Sequence, residues 1–147
     1  MAADRGAAYA VRLVDWASAS APLAAVRRAV FVVEQRIPEA QEFDALDAPS
    51  IHALAEDAHG APIGCGRLLP DGHIGRMAVL RQWRGRGVGA ALLVRLIETA
   101  RARGDARVVL NAQTQAMPFY ARFGFAPIGA PFVEADIPHH AMARMLA

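Results

Sequence analysis

Apolar and polar positions alternate from Tyr9 to Asp15, the period of a strand with one buried face. From Ala21 to Val33 the spacing becomes helical, and Pro22 is acceptable in a first turn. Glu34 to Pro49 is polar, holds Pro38 and Pro49, and predicts a long loop or a broken helix. Long loops in compact domains are often functional. Three strands are predicted next, Ile51 to Asp57, Pro62 to Leu69 and His73 to Leu80, turned by His59-Gly60 and Asp71-Gly72. Val88 to Arg103 carries the strongest helical pattern, and Gly104 ends it. Arg107 to Ala112 predicts a strand, and Gln115 to Phe123 a short helix closed by Gly124. Ala126 to Gly129 and Met142 to Leu146 predict a final strand pair. This order is α+β, with a central mixed sheet and helices on both faces.

The 147 residues show no repeat or low-complexity linker and predict a single domain, 1–147, large enough to bury a core. The apolar fraction is 54%, yet no run approaches a membrane span. The start, Met1 to Gly6, lacks the apolar stretch of a secretory signal, and one cysteine forms no internal disulfide. A cytoplasmic protein is expected. The formal charge is only +2, although the pI is about 9.3. All 16 basic residues are arginine, with no basic stripe interleaved with aromatics, so neither nucleic acid nor membrane is an expected partner.

Arginine does cluster locally, at Arg76, Arg81, Arg84 and Arg86. The last three belong to a glycine-bearing loop, Arg81 to Gly87, that runs straight into the strongest helix. Glycine lets a backbone approach a ligand closely. The first helical amides lack intrahelical acceptors, and the helix dipole adds positive potential there. Arg84, Gly85, Arg86, Gly87, Val88, Gly89 and Ala90 therefore read as a pyrophosphate cradle. Gly85, Gly87 and Ala90 also fit a dinucleotide fingerprint. That motif wants glycines directly after a first strand with several parallel strands to follow, whereas a polar loop intervenes here. A Walker A loop needs a lysine, and the chain has none.

Arg84-x-x-Gly87-x-Gly89 matches the Q/R-x-x-G-x-G/A signature of the GNAT acyltransferases. Ala116 to Phe125 resembles the second landmark of that family, A-x-x-x-Y-x-x-x-G-F. More narrowly, the chain resembles the ElaA-type bacterial branch. The residues behind that are Val30 to Gln35, Glu42-x-Asp44-x-x-Asp47, His52, Gly75 to Val79, Leu110 to Gln113 and Ile137-Pro138-His139. The resemblance covers about Tyr9 to Leu146. It implies the GNAT-type acyl-CoA N-acyltransferase fold, a mixed, mostly antiparallel sheet flanked by helices. It implies strands that splay near Val79 and Asn111 to admit pantetheine. It also implies acetyl-CoA as cosubstrate and a small-molecule or peptide amine as acceptor, with a homodimer as an open option. No metal is expected, because the histidines and carboxylates offer no second ligand set at a suitable spacing. Many GNAT proteins carry Asn seven residues before the Tyr, and here that position is Gln113.

In that frame the backbone of Met77, Ala78 and Val79 is expected to meet the pantetheine, together with Asn111 and Gln113. Tyr120 is the candidate proton donor to the leaving thiolate, since an ordinary phenol titrates near pH 10 and a thiol near 8.5. Glu34, Glu42, Asp44 and Asp47 form an acidic patch. It reads either as a solvated loop or as a trap for a cationic amine, with Glu34 or Glu42 as base. His52 reads as structural. His139 and His140 are adjacent on a strand and so face opposite ways, and at most one faces the site. Cys65, within Gly64-Cys65-Gly66, reads as a buried structural thiol rather than a nucleophile. Three rival functions remain open. One is a non-catalytic acyl-CoA-binding or sensor domain. Another is an acyl-homoserine-lactone-synthase-like acyltransferase, suggested by Phe31, Glu42, Asp44 and Asp47. The third is a nucleotide-binding module.

Overall fold

Asp15 starts the first helix. In the computed structural model, which describes residues 8–146, its carboxylate accepts from the Ser18 backbone N at 2.8 Å and from Ser18 Oγ at 2.6 Å. This is an N-cap. Met1 to Gly6 lie outside the described residues. Helix α1 therefore runs Trp16–Arg27 rather than from Ala21, and Pro22 sits inside it. Proline has no N–H and crowds the carbonyl four residues back, which kinks the helix at Ala19 (φ −127°, ψ 17°). The predicted helix also changes pitch, continuing as a π-helical segment over Arg28–Glu34. Glu39–Glu42 forms a short helix, α2, inside the expected loop.

Strands β1 (Tyr9–Val14), β2 (Ile51–Asp57), β3 (Pro62–Leu68) and β4 (His73–Val79) form an antiparallel meander. Helix α3 (Val88–Arg103) then leads to β5 (Arg107–Gln113), which lies parallel to β4. Helix α4 (Met117–Ala121) follows, then β6 (Ala126–Pro127), β7 (Phe132–Glu134) and β8 (Ile137–Met145). The described strands join in the order β1-β2-β3-β4-β5-β8-β6, with β7 also paired to β8. The last strand starts five residues earlier than the pattern suggested, and β7 was not expected. Its hairpin turns on Ala135 and Asp136, both left-handed (φ 52° and 61°), without the glycine that normally marks such a turn.

Alternate residues of the central strands feed two cores. Ala53, Ala55, Ile63 and Leu68 pack with Leu92, Leu93 and Leu96 of α3. Leu54, Cys65 and Ala78 pack with Leu23, Val26 and Phe31 on the opposite face. Gly64 and Gly66 let α3 lie close to β3. A Cβ at Gly64 would stand 3.0 Å from Leu92 Cδ1, and one at Gly66 would stand 2.8 Å from Leu96 Cδ1 and closer still to Met77 Sδ.

The acidic loop is not a solvated patch. Glu42 and Asp47 are buried around Arg27, itself 1% exposed. Arg27 Nε donates to Glu42 Oε2 at 2.9 Å and Nη1 to Asp47 Oδ1 at 2.7 Å. Its guanidinium lies over the rings of Phe43 and Trp16. Arg67 Nη1 donates to Asp44 and Asp47, and Arg76 reaches Glu42 and Asp44. His52 Nε2 donates to the Asp47 carbonyl at 2.9 Å, in keeping with a structural role. Removing one member of a buried ionic cluster leaves opposite charge uncompensated. Arg27→Met should therefore lower unfolding free energy by about 3–5 kcal/mol, measured by urea denaturation. Arg27→Met/Asp47→Asn should recover part of that loss.

Candidate active site

Strands β4 and β5 touch only briefly. His73 pairs with Val109 and Ile74 with Leu110, and beyond those two pairs the strands diverge. A bulge shapes the β4 side. Cys65 pairs with Ala78 and Arg67 with Gly75, so Gly66 alone opposes both Arg76 and Met77. Arg76 takes a left-handed conformation there (φ 50°), which is unfavourable for a residue with a Cβ. The opening widens into a cavity of about 730 Å³. Met77, Ala78 and Val79 line one wall, Asn111 and Gln113 another. Gly89 and Tyr120 close in from the helices, and Glu34, Glu42 and His139 line it too.

One mouth of the cavity meets the amino end of α3. Gly85 and Gly87 both have positive φ (76° and 84°), a conformation that glycine tolerates freely. Gly87 caps the helix without any side-chain hydrogen bond, and the first helical bond runs from Ala91 N to Gly87 O. The amides of Val88, Gly89 and Ala90 thus have no side-chain cap and are available to an anion. Gly89 lines the cavity itself, whereas Gly85, Arg86, Gly87, Val88 and Ala90 do not, and the Val88 side chain is buried in the core with Leu92 and Leu93.

The arginines divide differently from the sequence expectation. Arg84 is not a free cation. Its Nη1 and Nη2 each donate to a Glu34 carboxylate oxygen at 2.7 Å, and its Nε donates to Val79 O at 2.9 Å. Arg76 is turned toward Glu42 and Asp44. Arg81 is largely exposed, with Nη2 3.5 Å from Glu34, and Arg86 lies over the Trp83 ring. Neither side chain lines the cavity; both belong to the segment that leads into α3.

The carboxylates expected as bases are both engaged. Hydrogen bonds from Arg84 hold the Glu34 carboxyl below the ordinary glutamate range. Burial pushes the Glu42 carboxyl up, and the neighbouring Arg76 and Arg27 pull against that shift. Tyr120 Oη has no hydrogen-bond partner among the described residues, and burial pushes its phenol up to about 12. Cys65 is sealed from solvent, and burial pushes its thiol up to about 12, so it is no nucleophile at neutral pH. Gln113 Nε2 donates to Gln35 Oε1 at 2.9 Å, linking the end of β5 to the residue that follows the π-helical segment.

A family model described as an acetyltransferase (GNAT) domain matches residues 19–146. The chain belongs to the GNAT acetyltransferase family. Among its GNAT relatives is YjcF of Bacillus subtilis, named as an uncharacterized N-acetyltransferase. The two are 38% identical over 123 residues, covering 81% of this chain and 87% of that one. ElaA of Escherichia coli is 35% identical over 127 residues, covering 81% of this chain and 82% of its own. The ElaA crystal structure superposes with a TM-score of 0.82, covering 92% of this chain and 99% of that one. An acyl-CoA N-acyltransferase from Pseudomonas aeruginosa, 32% identical, gives 0.83 over 93% and 99%. The fold is thus the GNAT acyl-CoA N-acyltransferase fold.

The Glu34–Arg84 pair is partly exposed, 27% and 41% for the two side chains. Glu34→Gln should accordingly cost no more than about 1 kcal/mol at neutral pH. Because the folded carboxyl is depressed, its contribution is present above the unfolded glutamate pKa of about 4.3 and fades as pH falls below it. Urea denaturation of both proteins at pH 7 and pH 3 should show the difference shrink on acidification, as the folded carboxyl begins to take up its proton.

Proposed function

We propose that this protein transfers the acetyl group of acetyl-CoA to a primary amine of a small molecule or peptide, by direct attack in a ternary complex. The observation that carries the reading is the opening between β4 and β5. It joins the uncapped amino end of α3 to the unpartnered phenol of Tyr120 within one cavity. A pyrophosphate at the helix start would meet the Val88, Gly89 and Ala90 amides, with Arg81 and Arg86 adding charge from the segment that leads into α3. Pantetheine would then lie along Met77, Ala78 and Val79, with Asn111 and Gln113 opposite. A backbone amide near the β4 bulge would polarise the thioester carbonyl, as a donor fixed where oxyanion charge develops.

Tyr120 is the proton source for the departing sulfur in this reading. Burial disfavours phenolate, so the proton stays on Oη until a thiolate develops beside it. Glu34 and Glu42 act as supports. Glu34 positions Arg84 and, through it, the end of β4, while Glu42 belongs to the buried ionic cluster.

Two measurements test this reading. Gly89 is helical, and its Cβ position meets only ordinary contacts, the nearest being Phe119 Cζ at 3.6 Å. Aspartate in a first turn also suits the helix dipole. Gly89→Asp should therefore fold normally and yet bind CoA at least about tenfold more weakly by calorimetry, a loss of about 1.4 kcal/mol. Unchanged affinity would move the phosphates elsewhere. Tyr120→Phe should reduce the single-turnover rate by about 10²- to 10⁴-fold with an amine acceptor found by screening for released CoA. CoA affinity and Tm should barely change. A rate near wild type would remove Tyr120 from the proton transfer, and CoA binding without turnover across the amine panel would overturn acetyl transfer itself.

A further inference from the structure

Acetyl transfer to an amine needs a group to take the proton that the nitrogen loses. Glu34 and Glu42 are both held by guanidinium groups. Three further groups that could take a proton line the same cavity: His73, exposed and with Nδ1 3.1 Å from Asp71 Oδ1, Glu134, exposed on β7, and His139, the buried one. His139 stands on β8, in register with Gln113 of β5 on one side and Phe132 of β7 on the other. Its ring stacks on the Phe132 ring, with centroids 5.6 Å apart and planes 18° apart. Its Nδ1 lies 2.6 Å from the Ile137 carbonyl oxygen. A carbonyl only accepts, so the proton of the neutral ring must sit on Nδ1. Nε2 is then the nitrogen with the free lone pair.

That nitrogen has no hydrogen-bond partner among the described residues. It is not sealed away either, since the buried side-chain nitrogen or oxygen left unpartnered among them is Arg67 Nε. His140 offers a contrast one residue along. It faces the other side of the strand, and its Nε2 donates to Gly129 O at 3.1 Å. Stacking fixes the plane of the His139 ring, the Ile137 carbonyl fixes its tautomer, and the cavity wall fixes its place.

We infer that His139 is the general base of this active site, with Nε2 accepting the proton of the attacking amine. The inference rests on the acetyl-transfer reading above. The alkyl amine arrives as an ammonium, and Nε2 takes one of its protons, which frees the lone pair; the imidazolium then gives that proton to solvent. The lone pair forms the C–N bond, the C–S bond breaks with its electron pair on sulfur, and the Tyr120 phenol protonates that sulfur. The N–H proton shed by the new amide nitrogen restores the phenol through solvent. The sum is ammonium plus thioester giving amide, thiol and a proton.

The discriminating variant is His139→Asn. Its carboxamide N–H can still reach the Ile137 carbonyl, while nothing replaces Nε2. With 2-phenylethylamine, kcat should fall by about 10²- to 10⁴-fold, as for loss of a general base, with the KM for acetyl-CoA and Tm little changed. With p-anisidine, a weakly basic amine already neutral at pH 7, the loss should be much smaller. Equal losses with both amines, or none with either, would overturn the assignment. So would a wild-type ¹⁵N spectrum placing the His139 proton on Nε2, a measurement that does not depend on the variant folding. Wild-type protein that releases no CoA with any amine would instead sink the acetyl-transfer reading, and the inference with it.

Discussion

The parting of β4 and β5 is the constraint on which the rest of the molecule depends. A parallel pair held by only two residue pairs leaves strand backbone open, and buried amides and carbonyls need partners. The surroundings supply some of them. Arg84 reaches back to the Val79 carbonyl at the end of β4 and is itself clamped by Glu34. On the other side β5 is held by seven residue pairs to β8, far more contact than it makes with β4. The opening is thus a stable feature of two well-supported half-sheets, with α3 packed across their junction.

The buried ionic cluster serves the same opening. Arg27, Arg67 and Arg76 come from a helix and two strands, and all converge on Glu42, Asp44 and Asp47 of one loop. Such clusters contribute little net stability compared with apolar packing, because desolvation offsets the attraction. Their effect here is geometric. A loop short of apolar residues is pinned against α1, β3 and β4, where it forms one wall of the cavity. Charge is needed because the chain offers that loop few hydrophobic anchors besides Phe43 and Ile37.

Much of this was legible in the sequence, for identifiable reasons. Helix α3 and strands β2 to β5 followed the hydrophobic period, because Gly60, Gly72, Gly87 and Gly104 mark turns or caps with positive φ. Asp15 with Ser18 is also a readable cap, although the apolar pattern begins later and draws attention away from it. The β7–β8 hairpin was not legible, because Ala135 and Asp136 carry no turn signature. Individual charged residues were the least legible. Local spacing placed Arg84 beside a phosphate loop, but its partner Glu34 lies 50 residues away in sequence. The same holds for Arg27, whose partners emerge only when the loop folds over it. His139 and His140 could be told apart only by the carbonyls that face them.

The position of Cys65 has a chemical consequence for a protein with this fold. Thiolates exchange acyl groups with thioesters, so a reactive sulfhydryl near acyl-CoA would compete with any acceptor. Here the sulfur is buried in the core with Leu23, Val26 and Phe31, on the face of β3 away from α3, 1% exposed and held protonated by burial. The folded chain is therefore inert toward self-acylation at its one sulfhydryl. It is also silent toward thiol-reactive dyes, so thiol released into solution is counted against a blank background. A dye signal from the protein alone would report unfolding, one sulfhydryl per chain.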